Sequence, residues 1–428
     1  MKKIKNFNIA IIGVGYVGLP LALTASKYFK VIAFDLDQKR IKDLKLHCDK
    51  NFQYTKNQIK KSKNLIFTDK ITDIQNCNVY IITLPTPLTT GGLPDLESVK
   101  KISKDLANFL KKNDLVIYES TVYPGATEEV FIPILEKNSL LKCNKDFFVG
   151  YSPERINPGD KKNTFVNIKK ITAGSNNLAK KKVSYIYKKI IKAGIYEVNN
   201  IKTAELSKVL ENTQRFVNIA LINEISVLCE KLNINTQDLI NAASTKWNFQ
   251  KFSPGLVGGH CIAVDPLYLS YKSKKFELNP DMISAAHKVN KNMGAFIIKS
   301  IFKRIKKNKK NFLILGFTFK EDCPDFRNTG AKYLIGELNK KKITPDVFDP
   351  FINKSNIKDV LLENDRIKFN VLNKLKNYKY DVIIIAVAHK YFKNIGIKRI
   401  RGFLSDKNNI IFDVKNLFKK DSNNYISL

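Results

Sequence analysis

Residues 8–35 read NIAIIGVGYVGLPLALTASKYFKVIAFD, and their order decides the fold. Residues 8–12 form an apolar run suited to a buried strand, and Gly13-Val14-Gly15-Tyr16-Val17-Gly18 follows at once. Residues 19–29 can form a helix, Val31-Ile-Ala-Phe34 is a second apolar strand, and Asp35 closes it. Gly13 permits a tight turn, Gly15 lets a pyrophosphate approach the backbone, and Gly18 lets the helix pack closely on the sheet. The helix N-terminus supplies free N–H groups and a positive dipole end for phosphate. Asp35 stands 22 residues after Gly13, placed to accept hydrogen bonds from adenosine ribose hydroxyls. A carboxylate there repels a 2′-phosphate, so the pattern favours NAD over NADP.

The pattern continues outward. Further apolar strands are expected at residues 78–83, 115–120 and 147–150, closed by Leu84-Pro85-Thr86-Pro87, Thr121-Val-Tyr-Pro-Gly125 and Tyr151-Ser-Pro-Glu154-Arg155. Helical stretches such as 96–110 separate them, which predicts a parallel, doubly wound α/β sheet with ligands at the carboxyl ends of its strands. Thr83, Thr121 and Glu154 fall at or just beyond such ends, although Pro and Gly beside them also suit plain turns. Residues 311–316, 344–348, 381–386 and 409–413 predict a second, smaller α/β domain. Its first strand leads into Phe319-Lys320-Glu-Asp-Cys-Pro-Asp-Phe-Arg327, where Lys320 and Arg327 bring positive charge apt for phosphates. They are also two cations in a chain crowded with cations.

Between these domains residues 202–232 hold no Pro or Gly and carry an apolar helical stripe, long enough for a connector between lobes or a dimer contact. Glu205, Lys208 and Asn212 share one face of it, either as a solvated polar face or as a Lys/Asn pair turned into a cleft. Phe252-Ser-Pro-Gly255-Leu-Val-Gly258-Gly-His-Cys261-Ile-Ala-Val-Asp265-Pro follows. Glycines and prolines around one Cys make a rigid, close-approach loop, so Cys261 reads as a nucleophile, against the commoner fate of a small buried hydrophobe. The other five cysteines have unremarkable settings.

The 428 residues are 44% hydrophobic and 26% charged, which excludes a disordered or collagen-like chain and points to more than one domain. The expected division is 1–200, a dinucleotide-binding domain; 201–300, a helical segment with the Cys loop; and 301–428, a second Rossmann-like domain, the two Rossmann-like domains being joined by the long central helix. Lys+Arg 74 against Asp+Glu 39 gives a formal charge of +35, which suggests polyanionic partners. The basic residues are spread along the whole chain with no aromatic-interleaved strip, which reads as a diffuse Lys surface rather than a nucleic-acid groove. Six cysteines without a CxxC pair or zinc spacing suit a reducing cytoplasm and no metal site. The basic start and apolar run to Ala25 imitate a secretory signal, but the glycine pattern gives that run another meaning, and no apolar stretch long enough to span a membrane is expected.

Seven motifs in order, GVGYVGLP, PTP, ESTVYPG, SPERINPGD, AELSKVLENTQR, PGLVGGHCIAVDP and GFTFKEDCPDFRNT, together resemble the UDP-glucose/GDP-mannose dehydrogenase family across essentially the whole chain. Residues 245–269, TKWNFQKFSPGLVGGHCIAVDPLYL, look most like the bacterial UDP-N-acetylhexosamine 6-dehydrogenases of surface-polysaccharide synthesis. The resemblance implies a cytoplasmic homodimer that oxidises C6 of a UDP-N-acetylglucosamine or -galactosamine from alcohol to carboxylate with two NAD per turnover. It implies Cys261 as nucleophile through a thiohemiacetal and a thioester, Lys208 with Asn212 as oxyanion stabilisers, Asp265 and Thr121 holding a water, and Glu154 as base for the thioester step. It implies NAD contacts from Gly13, Gly15, Tyr16, Val17, Gly18, Asp35, Arg40, Thr83, Pro85, Thr86, Thr121 and Arg327. Substrate contacts fall to Glu154, Arg155, Lys208, Asn212, Phe252, Gly255, Gly258 and Lys320. Two positions depart from the pattern. Val264 stands where related branches have Lys, and Ser253 where the N-acetylhexosamine branch commonly has Arg. UDP-glucose or GDP-mannose oxidation by the same residues is the enzyme alternative; a basic nucleic-acid binder with an NAD-sensing domain is the alternative of another class.

Overall fold

The computed structural model describes residues 7–51, 53–156, 163–259, 261–305, 311–352, 367–375, 378–418 and 424–428. The chain forms two compact units, one of residues 1–211 with 267–277, the other of residues 212–266 with 278–428. Of the expected central segment 201–300, residues 201–211 and 267–277 thus group with the first unit and the remainder with the second.

The first unit is built on eight strands: β1 Asn8–Ile12, β2 Lys30–Phe34, β3 Leu65–Thr68, β4 Val79–Ile82, β5 Leu115–Tyr118, β6 Phe148–Tyr151, β7 Lys170–Gly174 and β8 Ile195–Glu197, in the order β3-β2-β1-β4-β5-β6-β7-β8. Its helices are α1 Gly18–Ala25, α2 Gln38–Lys45, α3 Lys56–Lys60, α4 Glu97–Ala107, α5 Ile132–Ser139 and α6 Asn177–Ile190. β4, β5 and β6 are buried at every residue, as a sheet covered on both faces requires, and each side chain so buried contributes about 1.5–3 kcal/mol. The strands expected from sequence, β1, β2, β4, β5 and β6, run parallel. β7 runs antiparallel to β6, pairing Gly150 with Gly174. A strand running antiparallel needs no crossover helix.

α7 Ile201–Leu232 runs 32 residues and contains the division between the units. α8 Thr236–Ala243, α9 Asp265–Lys274 and α10 Asp281–Phe302 follow. The second unit carries six parallel strands, β9 Phe312–Leu315, β10 Asp346–Phe348, β11 Asn370–Val371, β12 Val382–Ile385, β13 Ile410–Asp413 and β14 Tyr425–Ser427, in the order β11-β10-β9-β12-β13-β14. Counted from its own first strand this is 3-2-1-4-5-6, the Rossmann order. Period-two alternation sorts its strands between two layers. Phe312, Ile314, Val382 and Ile384 pack with α10 and α11 Ala331–Lys340, whereas Leu313, Leu315, Ile383 and Ile385 pack with α12 Lys390–Arg401.

Candidate active site

In both sheets the strand order reverses beside the first strand, and ligands of such sheets bind there, beyond the strand ends. In the first unit that place is the Gly13–Gly18 turn. Gly13 has φ +93°, which only glycine adopts without strain, and its N–H donates to the Phe34 carbonyl at 2.8 Å. A Cβ on Gly18 would stand 1.8 Å from the Gly13 oxygen, so any side chain would force α1 off the sheet. Gly15 is exposed with nothing within 4 Å of its missing Cβ, leaving the backbone open to a phosphate. Asp35 caps the turn: Oδ2 accepts from Val14 N at 2.7 Å and Oδ1 from Asp37 N at 3.0 Å. Tyr16 and Val17 are half-buried beside it.

Arg40 is tied to the same turn, donating from Nε to the Val14 carbonyl at 3.0 Å and pairing with Asp49 at 2.8 Å. Its Nη2 is buried without a hydrogen-bond partner, as is Oε1 of Gln53, whose Nε2 donates to the Tyr16 carbonyl at 3.3 Å. Asp35 and the unsatisfied donor of Arg40 at one edge of a glycine turn fit the hydroxyls of a ribose. The turn therefore fits NAD.

Thr83 is spent on the turn itself. It donates to Gly13 O at 2.7 Å, with Ile12 O at 3.1 Å, so it braces the glycine backbone. Thr86 donates to the Thr121 carbonyl at 2.6 Å, beside the exposed Pro85, and the Tyr268 hydroxyl donates to Thr86 O at 2.8 Å. The Thr121 loop is pinned from α7 by Glu205, which accepts from Gly125 N at 2.5 Å and Thr127 N at 2.9 Å. Burial pushes the Glu205 carboxyl up to about 7, against the pull of those donors. Lys208 lies one turn further along the helix and is buried. Glu154, beyond β6, accepts from Arg155 N and Ile156 N at 2.7 Å each through Oε1, and Lys170 Nζ lies 2.5 Å from Oε2. Arg155 pairs with Glu211 at 2.8 Å and donates to the Lys169 carbonyl at 3.0 Å.

The second unit brings the Cys loop and the Lys320 loop together. A Cβ on Gly258 would stand 2.6 Å from Asn328 O, and Gly259 N donates to that carbonyl at 2.9 Å. One on Gly259 would meet the Phe319 ring at 2.7 Å. Glycine is thus the residue that lets these loops touch. Asn223 clamps Gly255 from both sides, accepting from its N–H at 2.8 Å and donating to its carbonyl at 3.1 Å. Phe252 is half-buried at the start of the loop.

Cys261 is exposed, and its carbonyl accepts from Asp265 N at 2.9 Å, setting the thiol one turn before α9. Asp265 is buried and accepts from Asn212 Nδ2 at 2.5 Å. Arg327 is forked onto Asp325 at 3.0 and 2.6 Å, with its side chain half exposed. The loop carrying Lys320 is held from below. His389 Nδ1 accepts from Asp322 N at 2.9 Å, so its Nε2 carries the proton toward Thr318 Oγ1 and Asp349, each at 3.0 Å. Asp349 repeats Asp35, accepting from Phe317 N at 2.7 Å, but it is buried and already satisfied.

Sequence reasoning missed the Lys170 cluster, the His389 brace and Lys415, whose Nζ stands 3.0 Å from the position of a Cβ on Gly255. Lys415 lies just past β13 and so at a ligand-binding strand end, which was the available signal. Among the described residues no group of His, Cys, Asp and Glu is arranged to hold a metal ion, and no helix is long and apolar enough to cross a membrane.

A glycine turn that fits NAD in one unit, and a second Rossmann sheet with a basic loop in the other, are the features of a nucleotide-dependent dehydrogenase. Residues 7–191, 202–292 and 313–420 match the NAD-binding, central and UDP-binding domains of the UDP-glucose/GDP-mannose dehydrogenase family. The chain belongs to that family, and it is an NAD-dependent nucleotide-sugar dehydrogenase. It is 46% identical to UDP-N-acetyl-D-glucosamine 6-dehydrogenase of Salmonella typhi, with 96% of each chain covered. It is 44% identical to the Pseudomonas aeruginosa enzyme of the same name, covering 97% of this chain and 98% of that one. Among solved structures it resembles UDP-D-ManNAc dehydrogenase of Pyrococcus horikoshii, at TM-score 0.86 and 28% identity over 98% of each chain.

Proposed function

We propose that this enzyme oxidises the C6 hydroxyl of a UDP-N-acetylhexosamine, UDP-N-acetylglucosamine foremost, to the uronate, for surface-polysaccharide synthesis in the cytoplasm. Identity of 44–46% to two enzymes named UDP-N-acetyl-D-glucosamine 6-dehydrogenase carries this reading, against 29–32% to five named for UDP-N-acetyl-D-mannosamine. NAD supplies the hydride acceptor for both oxidations. Gly13, Gly15, Gly18, Tyr16 and Val17 form its phosphate turn, Asp35 and Arg40 take the ribose, and Pro85, Thr86, Thr121 and Arg327 complete its contacts.

In this reading the Cys261 sulfur adds to the C6 aldehyde, forming a C–S bond, and loss of a second hydride leaves a thioester. Tethering prevents escape of the aldehyde between the two oxidations. Water then adds to the thioester carbonyl, its proton passes to Glu154, and the C–S bond breaks to return the thiolate. Lys208 and Asn212 hold the developing oxyanion, and the Asn212–Asp265 hydrogen bond fixes the amide so that no reorganisation is needed at the moment of reaction. Lys320, Arg155, Phe252, Gly255 and Gly258 contact the nucleotide sugar.

A homodimer goes with this reading. Leu206, Leu210, Leu221, Leu228 and Leu232 are each 40% or more exposed on α7, and their spacing puts them on one face of the helix. Contiguous exposed leucines on one helix face mark an interface.

A panel of UDP-glucose, UDP-N-acetylglucosamine, UDP-N-acetylgalactosamine, UDP-N-acetylmannosamine and GDP-mannose, followed by NADH release, tests the assignment. Highest kcat/KM for UDP-N-acetylglucosamine is expected; preference for UDP-glucose or GDP-mannose would overturn it.

A further inference from the structure

Among the described residues Lys170 is a buried lysine, as Lys208 and Lys272 are. It opens β7, and its side chain is 3% exposed. Nζ lies 2.8 Å from Glu119 Oε2 and 2.5 Å from Glu154 Oε2. The rings of Phe165 and Tyr187 stand 5.2 and 5.5 Å from it, and the Tyr187 hydroxyl donates to Glu119 Oε1. Arg155, the next residue after Glu154, is paired with Glu211. An enclosed cation is costly unless its partners are worth more than its hydration, so the arrangement fixes all three side chains.

The two carboxylates are not equivalent. Glu119 is 0% exposed at its side chain and Glu154 is 9% exposed, so only Glu154 is open to a reacting water. Two carboxylates on one ammonium carry a net negative charge in a closed space, and a shared proton goes first to the more enclosed one. Burial raises the Glu119 carboxyl accordingly, with Glu154 adding to the rise. The Tyr187 hydroxyl donates to Glu119 and burial raises its own pKa well above the usual range, so it stays protonated and does not compete.

We propose that Lys170 is a positioning residue for Glu154, whose carboxylate its enclosed ammonium pairs with and holds in place for the thioester step. The inference rests on the reading of Glu154 as the base of that step. It assigns a function to a lysine outside the substrate and cofactor contacts.

The test is the pH dependence of kcat at saturating NAD, with whichever nucleotide sugar of the panel the wild type oxidises, for Lys170→Met, Lys170→Arg, Glu119→Gln and Glu154→Gln. Removing the cation destabilises the Glu154 anion, so in Lys170→Met the acid limb moves up by about one pH unit or more. Lys170→Arg keeps the charge and restores the limb toward wild type. Glu119→Gln mimics the carboxyl that already holds the proton, so its limb stays near that of wild type. With hydrolysis slowed, Lys170→Met also shows a pre-steady-state burst approaching two NADH per Cys261. A limb unmoved in Lys170→Met, or moved as far in Glu119→Gln as in Lys170→Met, overturns the inference. If Lys170→Met does not fold, Lys170→Gln takes its place with the same expected rise of the limb, and an unmoved limb there overturns the inference. Wild-type turnover by Glu154→Gln refutes the base reading itself; an inactive Glu154→Gln with unmoved limbs elsewhere refutes only the part assigned to Lys170.

Discussion

In the proposed mechanism the chemistry turns on Cys261, and the cofactor site turns on Gly18. Cys261→Ser retains the loop but offers a hydroxyl far less acidic than a thiol. Net uronate formation is expected to fall by at least a thousandfold with NAD binding unchanged; uronate at the wild-type rate would exclude the covalent route. Gly18→Ala must place a methyl 1.8 Å from the Gly13 carbonyl, and relief requires moving α1. Overpacking of this kind costs about 1–3 kcal/mol. Calorimetry is expected to show a lower Tm and at least tenfold weaker NAD binding, since the displaced helix end is the phosphate site. Lys320→Ala is expected to raise KM for the nucleotide sugar about tenfold or more, as loss of a charge-assisted hydrogen bond to phosphate does, with kcat little changed.

At the scale of elements, the glycine turn, the strands about it and the long helix were legible because each carries a local signature: an unbroken apolar run, a glycine at fixed spacing, or thirty residues without a breaker. β7 was not legible. It begins with Lys170, and a lysine in a strand reads as a surface residue until its two carboxylate partners, 51 and 16 residues earlier, are brought to it by folding. Arg327 was legible as a cation of its loop but not as the partner of Asp325, because charge pairing depends on side-chain direction and not on spacing. Glu205 could be placed on a helix face, yet its job as a cap for the Gly125–Thr127 backbone appears only when the loop and α7 meet.

That cap has a pH dependence. Its carboxyl rises from 4.5 to about 7 on folding, so between those values the folded state binds the proton more tightly than the unfolded chain. The stabilisation is complete below about pH 4.5, fades as pH rises through the folded value, and is gone above it. In urea unfolding from pH 5 to 8, the stability of wild type relative to Glu205→Gln is expected to fall as pH rises; a difference flat across that range would contradict the assignment.

For the molecule as a whole, sequence pattern established two Rossmann-like domains and a long helix, whereas the division of the chain inside α7 follows from packing. A formal charge of +35 suits a catalyst of nucleotide sugars, since diffuse positive potential gathers anionic substrates at low salt. The proposed homodimer rests on the exposed leucines of α7. Replacing Leu221 and Leu228 together by Glu is expected to convert a dimer to a monomer in light scattering; an unchanged mass would move the interface elsewhere.

The most direct measurement counts NADH formed per UDP-N-acetylglucosamine consumed, with the product identified by mass. Two NADH and the uronate are expected of a thiol that keeps the aldehyde bound through both oxidations. One NADH with free aldehyde, or none, would contradict it.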